Sequence, residues 1–222
     1  MNAQPVKVSF QLTRPMRSPE HPIHLDALLA WSAVREAEEA GHPEPLEAQH
    51  QLPLQDQDDP GGKVWCASQL MWQPLAPPEQ IFMTKRFELD ELASRRGKVY
   101  QGGPNVMTQG TGPFKSFVLQ APVVWARQVV AYGIGDLDRI RQLLARVTHL
   151  GKLRRIGLGQ IGRYEVEHDP AAETYWPLRV MPRQVEGYEP MIAVTSPPYW
   201  ELERRQPAWV PMQIPQGVFD VR

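Results

Sequence analysis

The chain has 222 residues, 42% of them hydrophobic and 22% charged, which is the composition of a globular protein with one substantial core. No apolar run is long enough to span a bilayer, and the single cysteine, Cys66, excludes an internal disulfide and a cysteine-built zinc site. The net charge of −1 hides a strong segregation: residues 1–84 hold 5 Lys/Arg against 11 Asp/Glu, residues 85–163 hold 14 against 5, and residues 164–222 hold 5 against 9. A basic middle block between acidic flanks suits a polyanionic partner, and it equally suits a helix that solvates its own arginines.

The first residues, Met-Asn-Ala-Gln-Pro-Val-Lys, lack the cationic start and apolar block of a secretory signal. With one cysteine, the expected location is a reducing cytoplasm. Val6-Lys7-Val8-Ser9-Phe10-Gln11-Leu12 alternates apolar and polar, which predicts a half-buried strand. A proline-rich loop leads to a helix predicted over residues 25–40, with Leu25, Leu28, Leu29, Ser32 and Ala33 on one face. Asp26 falls in its first turn, where a carboxylate complements the macrodipole, and Gly41 and Pro43 stop it. His21 and His24 flank the helix start and are read as surface histidines, with a paired-ligand or catalytic role as the alternative.

Residues 42–62 are acidic and proline-rich and read as a solvated excursion ending in the turn Asp58-Asp59-Pro60-Gly61-Gly62. Residues 63–72 are expected to form one strand and residues 80–89 another extended segment. A short helix carrying Arg95 and Arg96 is expected next, then an open, glycine-rich polar loop that runs to Pro113. Loops of that length inside a compact domain are uncommon and often functional. Residues 114–132 read as strand, with Pro122 at a bend or an edge. Residues 136–147 form an amphipathic helix with Leu137, Ile140, Leu143, Leu144 and Val147 on one face, followed by a strand over residues 160–167. The order strand, helix, strand, strand, helix, strand is the split βαβ pattern of an α+β, ferredoxin-like fold, whose sheet offers one open face to RNA. The tail from residue 170 is dense in proline and aromatics. It is expected to hold no helix, with a short strand at residues 191–195 that extends the sheet or packs over it.

Between the second helix and the last strand lies His149-Leu150-Gly151-Lys152-Leu153-Arg154-Arg155-Ile156-Gly157-Leu158-Gly159. Glycines at 151, 157, 159 and 162 surround three cations. Backbone N–H groups beside lysine and arginine form a site for phosphate oxygens, and a tight helix-to-strand connection with solvated cations is the plain alternative.

This stretch resembles the glycine-rich loop of the RAMP superfamily of CRISPR proteins, in which two Gly-hydrophobic-Gly units are separated by five residues that include a cation. Gly151, residues 152–156, Gly157, Leu158 and Gly159 match, while His149 stands where the first glycine would be. Pro22-Ile23-His24-Leu25-Asp26-Ala27-Leu28-Leu29 further resembles the small subunit of type IV CRISPR effector complexes, which takes the role of the Cas-five family. The resemblance implies a domain over residues 1–169 with an inserted loop at about 90–113, and a packed extension over 170–222. It implies a subunit without catalytic activity or cofactor that holds the 5′ handle of a guide RNA. Its neighbours would be a repeated backbone subunit and a large subunit, in a complex that defends against foreign DNA such as plasmids. Loop 97–113 would be the family's thumb, and a contact with target DNA near the protospacer-adjacent motif, through the loop around Asn105, is left open.

The RNA-binding residues expected on this basis are Gly151, Lys152, Arg154, Arg155, Gly157 and Gly159, with Lys85, Arg86, Arg95, Arg96, Lys98 and Lys115 continuing the track. The competing expectation is a metal-independent endoribonuclease of the same superfamily that uses His24, His149 and Tyr100, with Lys152 or Arg154 stabilising charge. A third, a metabolite-binding ferredoxin-like domain, leaves the basic block without a purpose.

Overall fold

A computed structural model describes residues 2–85 and 117–219. Its central sheet has four antiparallel strands in the order β5 (Met71–Pro74), β8 (Ala126–Gly135), β1 (Gln4–Leu12) and β9 (Ile161–His168). Two helices, α1 (Leu25–Glu39) and α2 (Leu137–Leu144), pack on one face. Val6, Val8 and Phe10 of β1 and Val129 and Ala131 of β8 meet Leu25 and Leu29 of α1 and Ile140, Leu143 and Leu144 of α2 there. The protein is thus α+β with antiparallel sheets, and the strand order is compatible with the split βαβ pattern. Among the described residues no helix is long and apolar enough to cross a membrane.

Both helices obey local chemistry. The α1 C-terminus closes with the His42 N–H donating to Ala37 O at 2.9 Å and the Gly41 N–H to Glu38 O at 3.0 Å, with Gly41 at φ +70°. That pairing is the Schellman arrangement. The α2 start is capped by the Asp136 carboxylate, which accepts from the Arg139 N–H at 3.0 Å. Its end falls three residues before the expected Val147, because the last turn tightens: the Arg146 and Val147 N–H groups donate to carbonyls three residues back, at 3.2 and 2.9 Å. Val147 is still buried.

Several expectations need correcting. Residues 42–62 are not simply solvated. A 3-10 helix (Pro45–His50) precedes Leu52 and Leu54, both buried, and the Gln55 and Asp136 N–H groups donate to Ile134 O and Pro53 O at 2.7 and 3.0 Å. Backbone pairing along the end of β8 pulls the excursion into the core. The single strand expected over 63–72 is two. β4 (Gly62–Trp65) forms a hairpin with β3 (Asp56–Asp59), and β5 joins the main sheet. Between them, the carbonyls of Trp65 and Ala67 turn to accept from the buried Arg179 guanidinium.

Pro122 lies within the middle strand of a second sheet, β2 (Met16–Arg17), β7 (Phe117–Val124) and β6 (Glu79–Lys85), rather than at an edge. Its carbonyl accepts from the Ser18 N–H at 2.9 Å, so its missing N–H also faces the β2 side. β2 is two residues long and ends before it would need that donor.

The tail does contain a helix, the single turn α3 (Ala172–Tyr175). The signal was local: the Asp169 carboxylate accepts from the Ala171 N–H at 2.9 Å, with Pro170 next in line. The tail strand is longer than expected and does not extend the main sheet. β10 (Tyr188–Ala193) pairs with β11 (Gln206–Pro211) in a ribbon of its own.

The face of the main sheet turned away from α1 and α2 is not open either. Met71, Val130 and Tyr132 are covered by Ala172 and by Val218 of the 3-10 turn Gln216–Phe219. The Tyr132 hydroxyl donates to Val218 O at 3.0 Å. What remains of that face is a cleft of about 680 Å³ whose lining includes Lys7, Glu165, Glu167 and Asp169, a set that repels phosphate on balance.

Candidate nucleic-acid interface

The glycine-rich stretch is a structured loop between α2 and β9, pinned at both ends. The Leu150 N–H donates to Gly159 O at 2.8 Å and the Ile161 N–H to Thr148 O at 2.9 Å. The loop is also tied to the turn between β1 and β2, where the Gly159 N–H donates to Pro15 O at 2.8 Å and the Thr13 N–H to Gln160 O at 2.9 Å. Leu150 and Leu158 anchor it in the interior. Gly159 is the residue this closure cannot replace: φ is +68°, and a Cβ would fall 2.0 Å from the Leu150 carbonyl oxygen. Gly151, Leu153 and Gly157 also take positive φ, at 78°, 64° and 84°. The αL turn at Leu153 starts the short 3-10 helix Arg154–Ile156, and the Gly157 N–H closes it onto Arg154 O at 2.9 Å. The N–H groups of Gly157 and Gly159, expected to approach a ligand, are therefore engaged, the first within the loop and the second with Pro15.

The cations project from this frame into solvent. Lys152, Arg154 and Arg155 are all exposed. Lys152 Nζ lies 3.5 Å from a Glu20 oxygen, with both side chains largely exposed. The Arg154 guanidinium lies over the Trp31 ring, 5.6 Å from its centroid. Among the described residues, none pairs with Arg155. Lys85 ends β6. Arg86, Arg95, Arg96, Lys98, Lys115, Tyr100, Asn105 and loop 97–113 lie outside the described residues.

The arginines of α2 and of the turn that follows it behave differently. Arg139 grips Glu36 of α1 with both terminal nitrogens, Arg146 reaches Glu36 at 3.5 Å and Glu39 at 3.4 Å, and Arg141 pairs with Asp138 at 2.7 Å. The hydrogen bonds from Arg139 hold Glu36 below the usual carboxylate range. Two of the fourteen cations of the basic block, Arg139 and Arg146, are thus spent on glutamates of α1.

Three residues near the loop were not singled out from the sequence. Exposed Arg14 sits between Thr13 and Pro15, the residues hydrogen-bonded to the loop. Arg17 faces a small cavity of about 100 Å³ together with Glu20, Gly151 and Lys152. Trp31 stands off the buried stripe of α1 and is 39% exposed, and that departure from the apolar period was a readable signal.

His24 and Asp26 are not at the surface. His24 Nε2 accepts from the Val180 N–H at 3.2 Å, and its ring stacks on Tyr199 with centroids 5.2 Å apart. Asp26 accepts from Arg179 at 3.2 Å and from the Tyr199 hydroxyl at 2.9 Å. Burial pushes the Asp26 carboxyl up, and the Arg179 charge and these hydrogen bonds oppose it. Asp26 is thus a buried ion-pair partner in addition to lying in the first turn. His149 is partly exposed, with Nδ1 2.9 Å from Thr148 Oγ1. Among the described residues no group of three or more His, Cys, Asp and Glu is placed to hold a metal ion.

A rigid loop that presents unneutralised cations beside an exposed indole is suited to a nucleic-acid strand. A family model described as "CRISPR type IV associated protein Csf3" matches residues 4–211. No curated protein matches the chain. With the match running through the main sheet, both helices and the glycine loop, the chain belongs to the Csf3 family of type IV CRISPR-associated proteins.

Proposed function

We propose that this protein is a non-catalytic RNA-binding subunit of a type IV CRISPR effector complex, holding the 5′ handle of the guide and capping one end of the repeated backbone. Family membership implies a role in that complex. The strand order and the glycine loop support a ferredoxin-like RAMP domain over residues 1–169 with the tail packed on it, and loop 97–113 takes the place of a thumb. The observation that carries the RNA reading is the contrast between arginines. Arg139 and Arg146 are consumed by glutamates of α1, whereas Arg154 and Arg155 stand on a pinned loop and make no ion pair among the described residues. Lys152 precedes them on the loop, and Arg14 sits on the turn hydrogen-bonded to it.

The non-catalytic reading draws support from His24, whose ring is buried and already hydrogen-bonded, so it cannot serve as a base toward a 2′-hydroxyl from that position. Replacing Arg154 and Arg155 together by glutamate tests the site. The variant should fold as the parent does but retain guide RNA poorly and fail to recover it from the assembled complex. Retention at the parental level would end the proposal.

A further inference from the structure

Beyond phosphate contacts, we infer that the groove between α1, the end of α2 and the glycine loop holds one unpaired nucleobase, stacked on Trp31. This rests on the RNA-binding reading above and adds to it a place where a base, not only the backbone, is held. The groove has a volume of about 540 Å³ and is lined by Trp31, Arg35, Glu39, Arg146, Thr148 and Arg154. Its floor is an indole with 39% of its surface in solvent on an otherwise charged helix face. Arg35 follows Trp31 by four positions and so shares its side of the helix. Arg154 hangs over the ring at 5.6 Å from the centroid, the loose end of the cation–π range. A guanidinium at that separation shifts outward at small cost, and both it and an indole stack on any base.

The charges decide between base and phosphate as the occupant. Within the groove Arg35 pairs with Glu38 and Arg146 with Glu36 and Glu39, so the interior carries little free positive charge. Glu39 opposes a phosphate there and can accept a hydrogen bond from a base amino group. On the loop, Arg154, which lines the groove, and its neighbour Arg155 are free of carboxylate partners among the described residues. A strand would therefore lay its phosphates on the loop and turn a base inward onto Trp31.

The test uses the full chain and two fluorescent single-stranded octamers, one an ordinary oligoribonucleotide and one of the same backbone made abasic. Trp31→Ala should weaken the ordinary octamer about tenfold and leave the abasic one unchanged, while Trp31→Phe keeps most of the affinity. Arg154→Glu with Arg155→Glu should weaken both octamers. If Trp31→Ala binds the ordinary octamer as the parent does, or weakens both octamers equally, the base site is overturned while the phosphate reading stands. Parental RNA binding by Trp31→Ala together with failure to join the complex would overturn it as well, making this face a protein contact. If charge reversal leaves both octamers untouched, the underlying RNA reading falls with it.

Discussion

The Asp26 carboxylate and the Arg179 guanidinium, 153 residues apart in the chain, meet at 3.2 Å with neither side chain exposed to solvent. Arg179 also donates to the carbonyls of Trp65, Ala67 and Thr195 and to the Tyr199 hydroxyl. One guanidinium thereby ties the tail to the start of α1 and to the break between β4 and β5. A buried charge is tolerated only when it is paired and hydrogen-bonded this fully. Removing it with Arg179→Met leaves a buried carboxylate and several carbonyls without their donor. The expected loss is about 3–5 kcal/mol in urea unfolding. Tyr199→Phe removes one donor from Asp26 and should cost about 1–3 kcal/mol.

Acid should loosen the same junction through His24. Burial, with the Arg179 charge second, holds its ring well below the usual histidine value. The unfolded chain takes up a proton below about pH 6.5 and the folded chain does not, so stability is complete above that pH and falls as pH drops below it. The slope contributed is at most about 1.4 kcal/mol per pH unit. His24→Gln, which cannot titrate, should flatten stability between about pH 5 and 6.5 relative to the parent. An unchanged slope would show that His24 is not the group responsible.

The glycine loop makes a graded prediction. Gly159→Ala combines positive φ with a Cβ 2.0 Å from the Leu150 carbonyl oxygen, whereas at Gly157 nothing lies within 4 Å of the added atom. Gly157→Ala should cost only the αL penalty, about 1–2 kcal/mol. Gly159→Ala should cost clearly more and should also disturb the link to Pro15. Denaturant melts of the two variants side by side check the order.

Phosphate contacts on the loop should be visible in salt. For a single strand, each neutralised phosphate contributes roughly 0.7 to the slope of log affinity against log salt. Replacing Arg154 and Arg155 by glutamine should therefore reduce that slope by about 1.4, measured by fluorescence anisotropy across a salt series. A parental slope would place the strand elsewhere.

Cys66 offers a probe of opening. It is buried, and burial raises its thiol to about 11. Alkylation at pH 8 should be slow in the native protein and fast in denaturant, so its rate reports how often the region around Trp65 and Ala67 opens. Rapid alkylation under native conditions would contradict the packing described.

The periodic parts of the fold were legible from residues alone. The alternation of Val6, Val8 and Phe10 and the spacing of Ile140, Leu143 and Leu144 are read directly into burial, and Gly41 and Asp136 terminate their helices by local chemistry. The glycine loop could be recognised because positive φ is a property of single positions. Other features could not be read that way, since they depend on residues distant in sequence. Alternation along β1 and β8 shows that both faces of the sheet carry side chains, but not that Ala172 and Val218 would cover one of them. The excess of arginine in the middle block was visible, yet only the packing of α2 on α1 decides that Arg139 and Arg146 are neutralised by Glu36 and Glu39 while Arg154 and Arg155 remain in solvent. Charge is written in the sequence, but screening and pairing are set by distance and burial, and those belong to the tertiary structure.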